Sequence, residues 1–385
     1  MRHLSGLILT AALSAVMALP AAAQAPLPKL EKQADVLFWP QEAREAGFRA
    51  MDQIVPHRAV AASPTPRPLP QGTPLDLDLS AYMAEEHTAA IIVLKDGKLV
   101  LERYGLGFGP DQRWTSFSVA KSVASTLVGA AIKDGHIESL ETPITRYLPE
   151  LENSAYDGVT VRHLLTMSSG AEWNEDYTDP ASDVARFYEP REVEGMDPTL
   201  HYMRQLKRAH APGTRWNYST GESNLVGVLL TRATGQTLAD YLSAKIWVPY
   251  GMEAEAAWMI DEAGQEQSGC CLMASAHDWA RLGQFILDGG QIEGQSILPD
   301  SWLALATTKQ ADFSSPGEGY GFMWWTLDDG RFSANGIFGQ SISLNPEAGT
   351  VVVILSAWPN AIGRAHTLAR QRVLDRIHQA LNAEP

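Results

Sequence analysis

The hydrophobic pattern of this chain changes period along its length. Residues 89–94 form an unbroken apolar run, Ala-Ala-Ile-Ile-Val-Leu. Lys95-Asp96-Gly97-Lys98 then supplies a turn, and residues 99–104 return. That pattern predicts a β-hairpin, with Asp-Gly at its tip. A second strand-rich region covers residues 320–327, 331–334, 340–345 and 351–355, with turn chemistry at 328–330 and 346–349. Residues 364–381 then take up a helical period with no interior proline. Between these ends the pattern is helical and loop-rich. Residues 118–133 place Val119, Val123, Leu127 and Ala130 at helical spacing. Shorter helices are expected over 161–167, 223–234, 238–246 and 277–287. Strands at both ends with helices between predict an α+β fold (an α/β sandwich). Its antiparallel sheet is formed by both chain ends and flanked by helices, and a mostly helical subdomain is inserted over about 136–270.

The first residues read differently. Arg2 precedes an apolar stretch, and Pro20-Ala21-Ala22-Ala23 offers a small-residue cleavage site. Residues 1–23 therefore predict a signal peptide cut after Ala23, and a soluble, exported (periplasmic or secreted) mature protein with no stable membrane insertion. Residues 24–75 contain Pro64, Pro66, Pro68, Pro70 and Pro74 and are expected to be an extended lead-in over the domain surface. The compact domain is expected to fill 76–385.

Composition narrows the partners. The net charge is −15, which repels phosphate backbones and argues against nucleic acid. The two cysteines, Cys270 and Cys271, are neighbours. They are expected to be two small, partly buried thiols rather than a structural staple, and they offer too few ligands for a metal. The histidines lack metal-ligand spacing, so neither a metal nor a cofactor is expected. No Gly-x-Ser-x-Gly elbow, phosphate-binding loop or dinucleotide fingerprint is present.

Three stretches carry candidate chemistry. Ser118-Val119-Ala120-Lys121 opens the central helix. At this spacing the two side chains share one face, and the serine sits among unpaired N–H groups. A neutral amine there can take the hydroxyl proton that serine must lose to become a nucleophile. Equally, Ser118 can be a helix cap and Lys121 a solvated lysine. The Ala-, Val- and Leu-rich helix that follows weighs against solvation. The second stretch, Pro212 to Gly221, is a tight loop from which Tyr218 projects, either as a proton shuttle whose pKa cationic neighbours lower or as a structural phenol. In the third, Ala334-Asn335-Gly336-Ile337-Phe338-Gly339-Gln340, glycines permit close approach to a ligand. The Ile337 N–H can pair with that of Ser118 as an oxyanion hole, and a β-bulge is the other reading.

Taken together, these stretches resemble the serine β-lactamase and penicillin-binding protein superfamily. They are most similar to the branch of class C β-lactamases, their esterase relatives and 6-aminohexanoate-dimer hydrolases. Two further runs carry the resemblance, 161–170 (Val-Arg-His-Leu-Leu-Thr-Met-Ser-Ser-Gly) and 274–283 (Ala-Ser-Ala-His-Asp-Trp-Ala-Arg-Leu-Gly), as does Asn345-Pro346-Glu347. The resemblance implies that Ser118 attacks a carbonyl of a small ester or amide. Lys121 and Tyr218 would relay its proton, and water would release the acyl group. It also implies that the loop holding Trp173 to Tyr177 lines the substrate cleft, which makes Asp176 and Tyr177 candidate substrate contacts. Two departures stand out. The strand triplet expected to carry a cation reads Ala334-Asn335-Gly336, with Arg331 three positions early. The expected Tyr-x-Asn reads Tyr218-Ser219-Thr220. Thr220, Asn335 and Gly336 are thus the candidate substrate-binding residues at those positions. Both departures favour the ester- and amide-cleaving branch. The alternatives are a β-lactamase or D-alanyl carboxypeptidase with the same mechanism, or a non-catalytic descendant that binds cell-wall peptides or a protein.

Overall fold

The Asp96-Gly97 turn closes the expected hairpin: strand β1 (Thr88–Lys95) pairs antiparallel with β2 (Lys98–Tyr104). Asp96 and Gly97 both have positive φ, 51° and 74°, as a two-residue turn of this hand demands. The computed structural model describes residues 27–30, 32–189, 195–311 and 317–383. The expected signal peptide lies outside them.

The hairpin joins five strands from the other end of the chain: β3 (Glu318–Tyr320), β4 (Trp325–Leu327), β5 (Phe332–Gly336), β6 (Gln340–Asn345) and β7 (Thr350–Ser356). The spatial order is β2-β1-β7-β6-β5-β4-β3, antiparallel at every step. The α+β architecture, with its sheet built from both chain ends, is therefore as the sequence predicts. The single strand read over 320–327 is instead a hairpin. Met323 takes a positive φ of 58°, and the Met323 and Phe322 carbonyls turn inward to accept the Ser122 and Ser125 hydroxyls at 2.6 and 2.7 Å.

Both faces of the sheet are buried, which explains the unbroken apolar runs. Ile91, Val93, Val352 and Ile354 face Val373 and Ile377 of the C-terminal helix, here α5 (Arg364–Ala383). Ala90, Ile92, Leu94, Val351 and Val353 face the main core. Each such side chain contributes about 1.5–3 kcal/mol by leaving water. Helix α4 (Ala276–Leu287) lies on that inner face. It comes so close that a Cβ on Gly283 would meet Val351 at 2.4 Å. Helix α2 (Val119–Lys133) is buried almost all round, and α3 (Thr220–Thr234) packs beside it.

Residues 33–60 carry more structure than an extended lead-in. A 3-10 helix (Gln33–Phe38), helix α1 (Gln41–Arg49) and the strand His57–Val60 pack Trp39, Phe48, Met51, Val55 and Val60 into the main core. That strand belongs to a second, four-stranded sheet with Ala256–Met259, Leu272–Ala274 and Trp114–Thr115. The prolines at 64–74 lie just beyond it, in chain without helix. This second sheet delivers the chain to the start of α2. Among the described residues, no helix is long and apolar enough to cross a membrane.

Candidate active site

Strand Trp114–Thr115 ends three residues before Ser118, and the connection is bent. Phe117 has φ 44°, a left-handed conformation that costs a non-glycine residue on the order of 1–3 kcal/mol. Ring packing holds it there: Phe117 lies 4.9 Å from Phe48 and 5.4 Å from Phe338, centroid to centroid. The bend places Ser118 at the N-terminus of α2. Its hydroxyl makes no capping bond, so the helix-cap role considered for Ser118 is not taken up.

The Oγ faces Lys121 instead. Lys121 Nζ donates to Ser118 Oγ at 2.9 Å, to Thr220 Oγ1 at 3.1 Å and to the Gly269 carbonyl at 2.5 Å. The lysine is 1% exposed. Burial pulls its ammonium down to about 8, with the Glu175 carboxylate opposing. Lys121 is thus no solvated helix lysine, and a substantial fraction is neutral near pH 8.

Tyr218 closes the group from a different segment. Its phenol lies beside Ser118 in the same cleft, and Lys121 Nζ lies 5.1 Å from its ring centroid. The ring stacks on Trp325 at 5.7 Å. The proximity anticipated for Tyr218 is present, but the anticipated fall in its pKa is not. Loss of water and the Glu175 carboxylate push the phenol upward, the nearby Ser118 hydroxyl opposing. Tyr218 therefore rests as a neutral phenol.

Glu175 is the site residue that the sequence reading missed. Its Oε1 accepts the Tyr177 hydroxyl at 2.7 Å and the Thr220 hydroxyl. Its Oε2 accepts the Thr220 N–H at 2.9 Å and the Trp173 indole N–H. The neighbouring candidate, Asp176, falls outside the site: it is exposed, and its Oδ1 accepts the Thr178 N–H and hydroxyl at 2.8 and 2.7 Å to close a local turn. A shift of one residue exchanges the roles. The signal available was the flanking pair Trp173 and Tyr177, whose polar tips both reach Glu175. Tyr177 does line the cavities beside Ser118.

The third stretch arrives on β5. A Cβ on Gly336 would meet the Ser116 carbonyl at 2.5 Å and the Ser118 amide nitrogen at 3.1 Å, so only glycine lets the strand end come this close. Ile337 follows in a short 3-10 turn (Ile337–Gly339) rather than a β-bulge. Buried Gln340 fixes that turn: its Nε2 donates to the Ile337, Phe338 and Ser356 carbonyls at 3.2, 3.2 and 2.7 Å, and its Oε1 accepts the Trp114 indole N–H at 3.0 Å. Asn335 bonds Ser333 and Ser341, both at 2.9 Å, and lines the cleft with Gly336. Arg331 stands in the same cleft but is committed to Asp329 and Asp375, at 2.7 and 3.3 Å.

The loop supplying the Gly269 carbonyl departs from expectation in its next two residues. Cys270 and Cys271 are joined as a vicinal disulfide, not held as separate thiols. Cys271 takes a left-handed φ of 66° at this bridge. The pair lines the cavity beside Ser118.

The family model described as beta-lactamase matches residues 75–375. The chain belongs to the beta-lactamase family. Within it, the chain is 30% identical over 359 residues to a 6-aminohexanoate-dimer hydrolase of Paenarthrobacter ureafaciens, covering 87% of this chain and 91% of that one. It is 29% identical over 180 residues to the esterase EstB of Burkholderia gladioli, covering 43% of this chain and 45% of that one. Among solved structures, a Bacillus anthracis protein provisionally described as a 6-aminohexanoate-dimer hydrolase superposes with a TM-score of 0.78. Its identity is 24%, over 89% of this chain and 96% of that one. A class C beta-lactamase superposes at 0.57, with 16% identity over 77% and 93%. The chain is a serine hydrolase of the beta-lactamase fold.

Proposed function

We propose that this protein cleaves a small ester or amide through an acyl-enzyme on Ser118. The observation that carries the reading is the buried Lys121 amine, 2.9 Å from an uncapped Ser118 hydroxyl, with the neutral Tyr218 phenol in the same cleft. In its neutral form Lys121 takes the Ser118 proton as Oγ attacks the carbonyl carbon. The negative charge that develops on the carbonyl oxygen is received by the N–H groups of Ser118 and Ile337. As the intermediate collapses, Tyr218 gives its proton to the leaving oxygen or nitrogen and is reprotonated from the Lys121 ammonium. Water then attacks the acyl-enzyme, with the same pair accepting its proton and returning one to Ser118 Oγ.

The β-lactamase and carboxypeptidase alternatives need a free cation on β5 for a substrate carboxylate. That strand offers Ala334-Asn335-Gly336, and Arg331 is paired to two aspartates. Turnover of p-nitrophenyl esters, the matching anilides and a chromogenic cephalosporin tests the assignment. Ester or anilide turnover lost in Ser118→Ala is the expected result. Cephalosporin turnover exceeding both would move the substrate class, and no turnover with no covalent labelling would favour a binding protein.

We further propose export, on the pattern of residues 1–23. A disulfide between Cys270 and Cys271 fits an oxidising compartment. N-terminal sequencing of the mature protein is expected to begin at Gln24; an N-terminus at Met1 in the cytoplasmic fraction would overturn it.

A further inference from the structure

Two cavities meet at the nucleophile, and they differ in chemistry. Ser118, Tyr177 and Ile337 line both. One cavity, of about 50 Å³, is walled by Val36, Leu37, Met51, Val55, Val184 and Met259, with the Cys270–Cys271 disulfide completing its surface. Among the described residues, no charged side chain lines it. The other is a wider cleft of about 590 Å³ that contains Glu318, Arg331, Arg370 and Asp375. Tyr218, the proton donor to the leaving group, lines the charged cleft and not the apolar cavity. A carbonyl held at Ser118 therefore directs its leaving group toward the charged cleft and its acyl group into the apolar cavity.

We infer that the acyl half of the substrate is an uncharged hydrocarbon chain seated in the cavity walled by Val36, Leu37, Met51, Val55, Val184 and Met259, while the polar half leaves through the cleft of Arg331 and Arg370. The inference rests on the acyl-transfer reading of Ser118. Four of the six wall residues come from residues 36–55, ahead of the segment that the family model matches. Acyl selectivity is thus built on a part of the chain outside the shared domain. A 6-aminohexanoyl group would carry its ammonium into this cavity, where among the described lining residues it meets no carboxylate; Glu175 lies behind Tyr177 and Thr220 with both oxygens already bonded. Burying an unpaired charge costs several kcal/mol, so that group is excluded relative to plain hexanoyl.

The test compares kcat/KM for p-nitrophenyl acetate, butyrate, hexanoate and 6-aminohexanoate, with fluorophosphonate labelling of Ser118 run alongside. The expected series rises about threefold to fourfold per added methylene until the cavity fills, as burial of each CH₂ predicts. The 6-aminohexanoate is expected to fall at least about a hundredfold below the hexanoate. In Val36→Asp the gap between those two esters narrows by about tenfold or more, because a carboxylate then faces the ammonium. Leu37→Trp, which fills space without charge, moves the optimum to a shorter chain. A flat or falling series in the parent protein, or equal rates for hexanoate and 6-aminohexanoate, overturns the inference even where Ser118 is labelled and the acetate is turned over. Failure to label Ser118 at all overturns the acyl-transfer reading, and the inference with it.

Discussion

The Thr220 hydroxyl bridges Lys121 and Glu175: it accepts from Lys121 Nζ at 3.1 Å and donates to the Glu175 carboxylate. This links the proposed base to a negative charge that opposes its neutralisation, while burial lowers its pKa to about 8. Acylation needs the neutral amine. Activity therefore rises with pH through about 8 and levels above it, falling roughly tenfold per unit below. Removing the carboxylate charge in Glu175→Gln takes away the influence that favours the ammonium, so the acid limb of the kcat/KM profile moves to lower pH. A limb that stays in place or moves upward would refute the coupling. Lys121→Ala is expected to lower kcat by about a hundredfold or more.

Tyr218→Phe separates the phenol's chemistry from its packing. The ring still stacks on Trp325, so the thermal midpoint is expected to stay close to that of the parent. Loss of the hydroxyl removes the proton route to the leaving group, and kcat falls by about a hundredfold or more. Near-parent kcat would remove Tyr218 from the mechanism.

Glu222 gives a prediction about stability. Burial pushes its carboxyl up to about 8, the Ser169 hydroxyl bond opposing, and among the described residues its Oε2 has no partner. The unfolded chain releases this proton near the ordinary glutamate value, while the folded protein holds it to about 8. The folded state thus binds more protons across that window, and stability declines as pH rises from about 4.5 to about 8. Glu222→Gln is expected to raise the melting temperature at pH 8 by on the order of 2–5 °C and to change it little at pH 4. A melting-temperature rise of the same size at both pH values would contradict the linkage.

Thiol counting addresses the cysteines. Purified under non-reducing conditions and unfolded, the protein is expected to show no alkylatable thiol, and two after reduction. Two thiols before reduction would refute the vicinal disulfide.

Much of this site was legible in the sequence because its chemistry is local. Asp96-Gly97 declares its turn, the apolar face of residues 119–130 declares α2, and the Ser118–Lys121 spacing needs only a helix to place both side chains together. Tyr218 was legible from collinear motifs, but its direction of titration was not. That depends on Glu175, a loop residue whose carboxylate turns inward through contacts with Trp173, Tyr177 and Thr220 that no periodicity encodes. Asp176, beside it, has the same composition and the opposite orientation. The break within 320–327 is likewise tertiary, since the carbonyls that turn inward there answer hydroxyls on α2, some 200 positions away. Residues 33–60 lacked a strong period, and their place in the core follows from contacts with residues of the distant domain, such as Phe117 and Phe338.

Trapping the covalent intermediate tests the central claim most directly. The protein is mixed with a slowly released p-nitrophenyl ester at pH 8, quenched in acid, digested and mapped by mass spectrometry. The account predicts one acyl adduct, on the peptide bearing Ser118 and localised to that residue, accumulating faster in the parent than in Lys121→Ala. An adduct on another residue, or ester turnover that persists in Ser118→Ala, would contradict it.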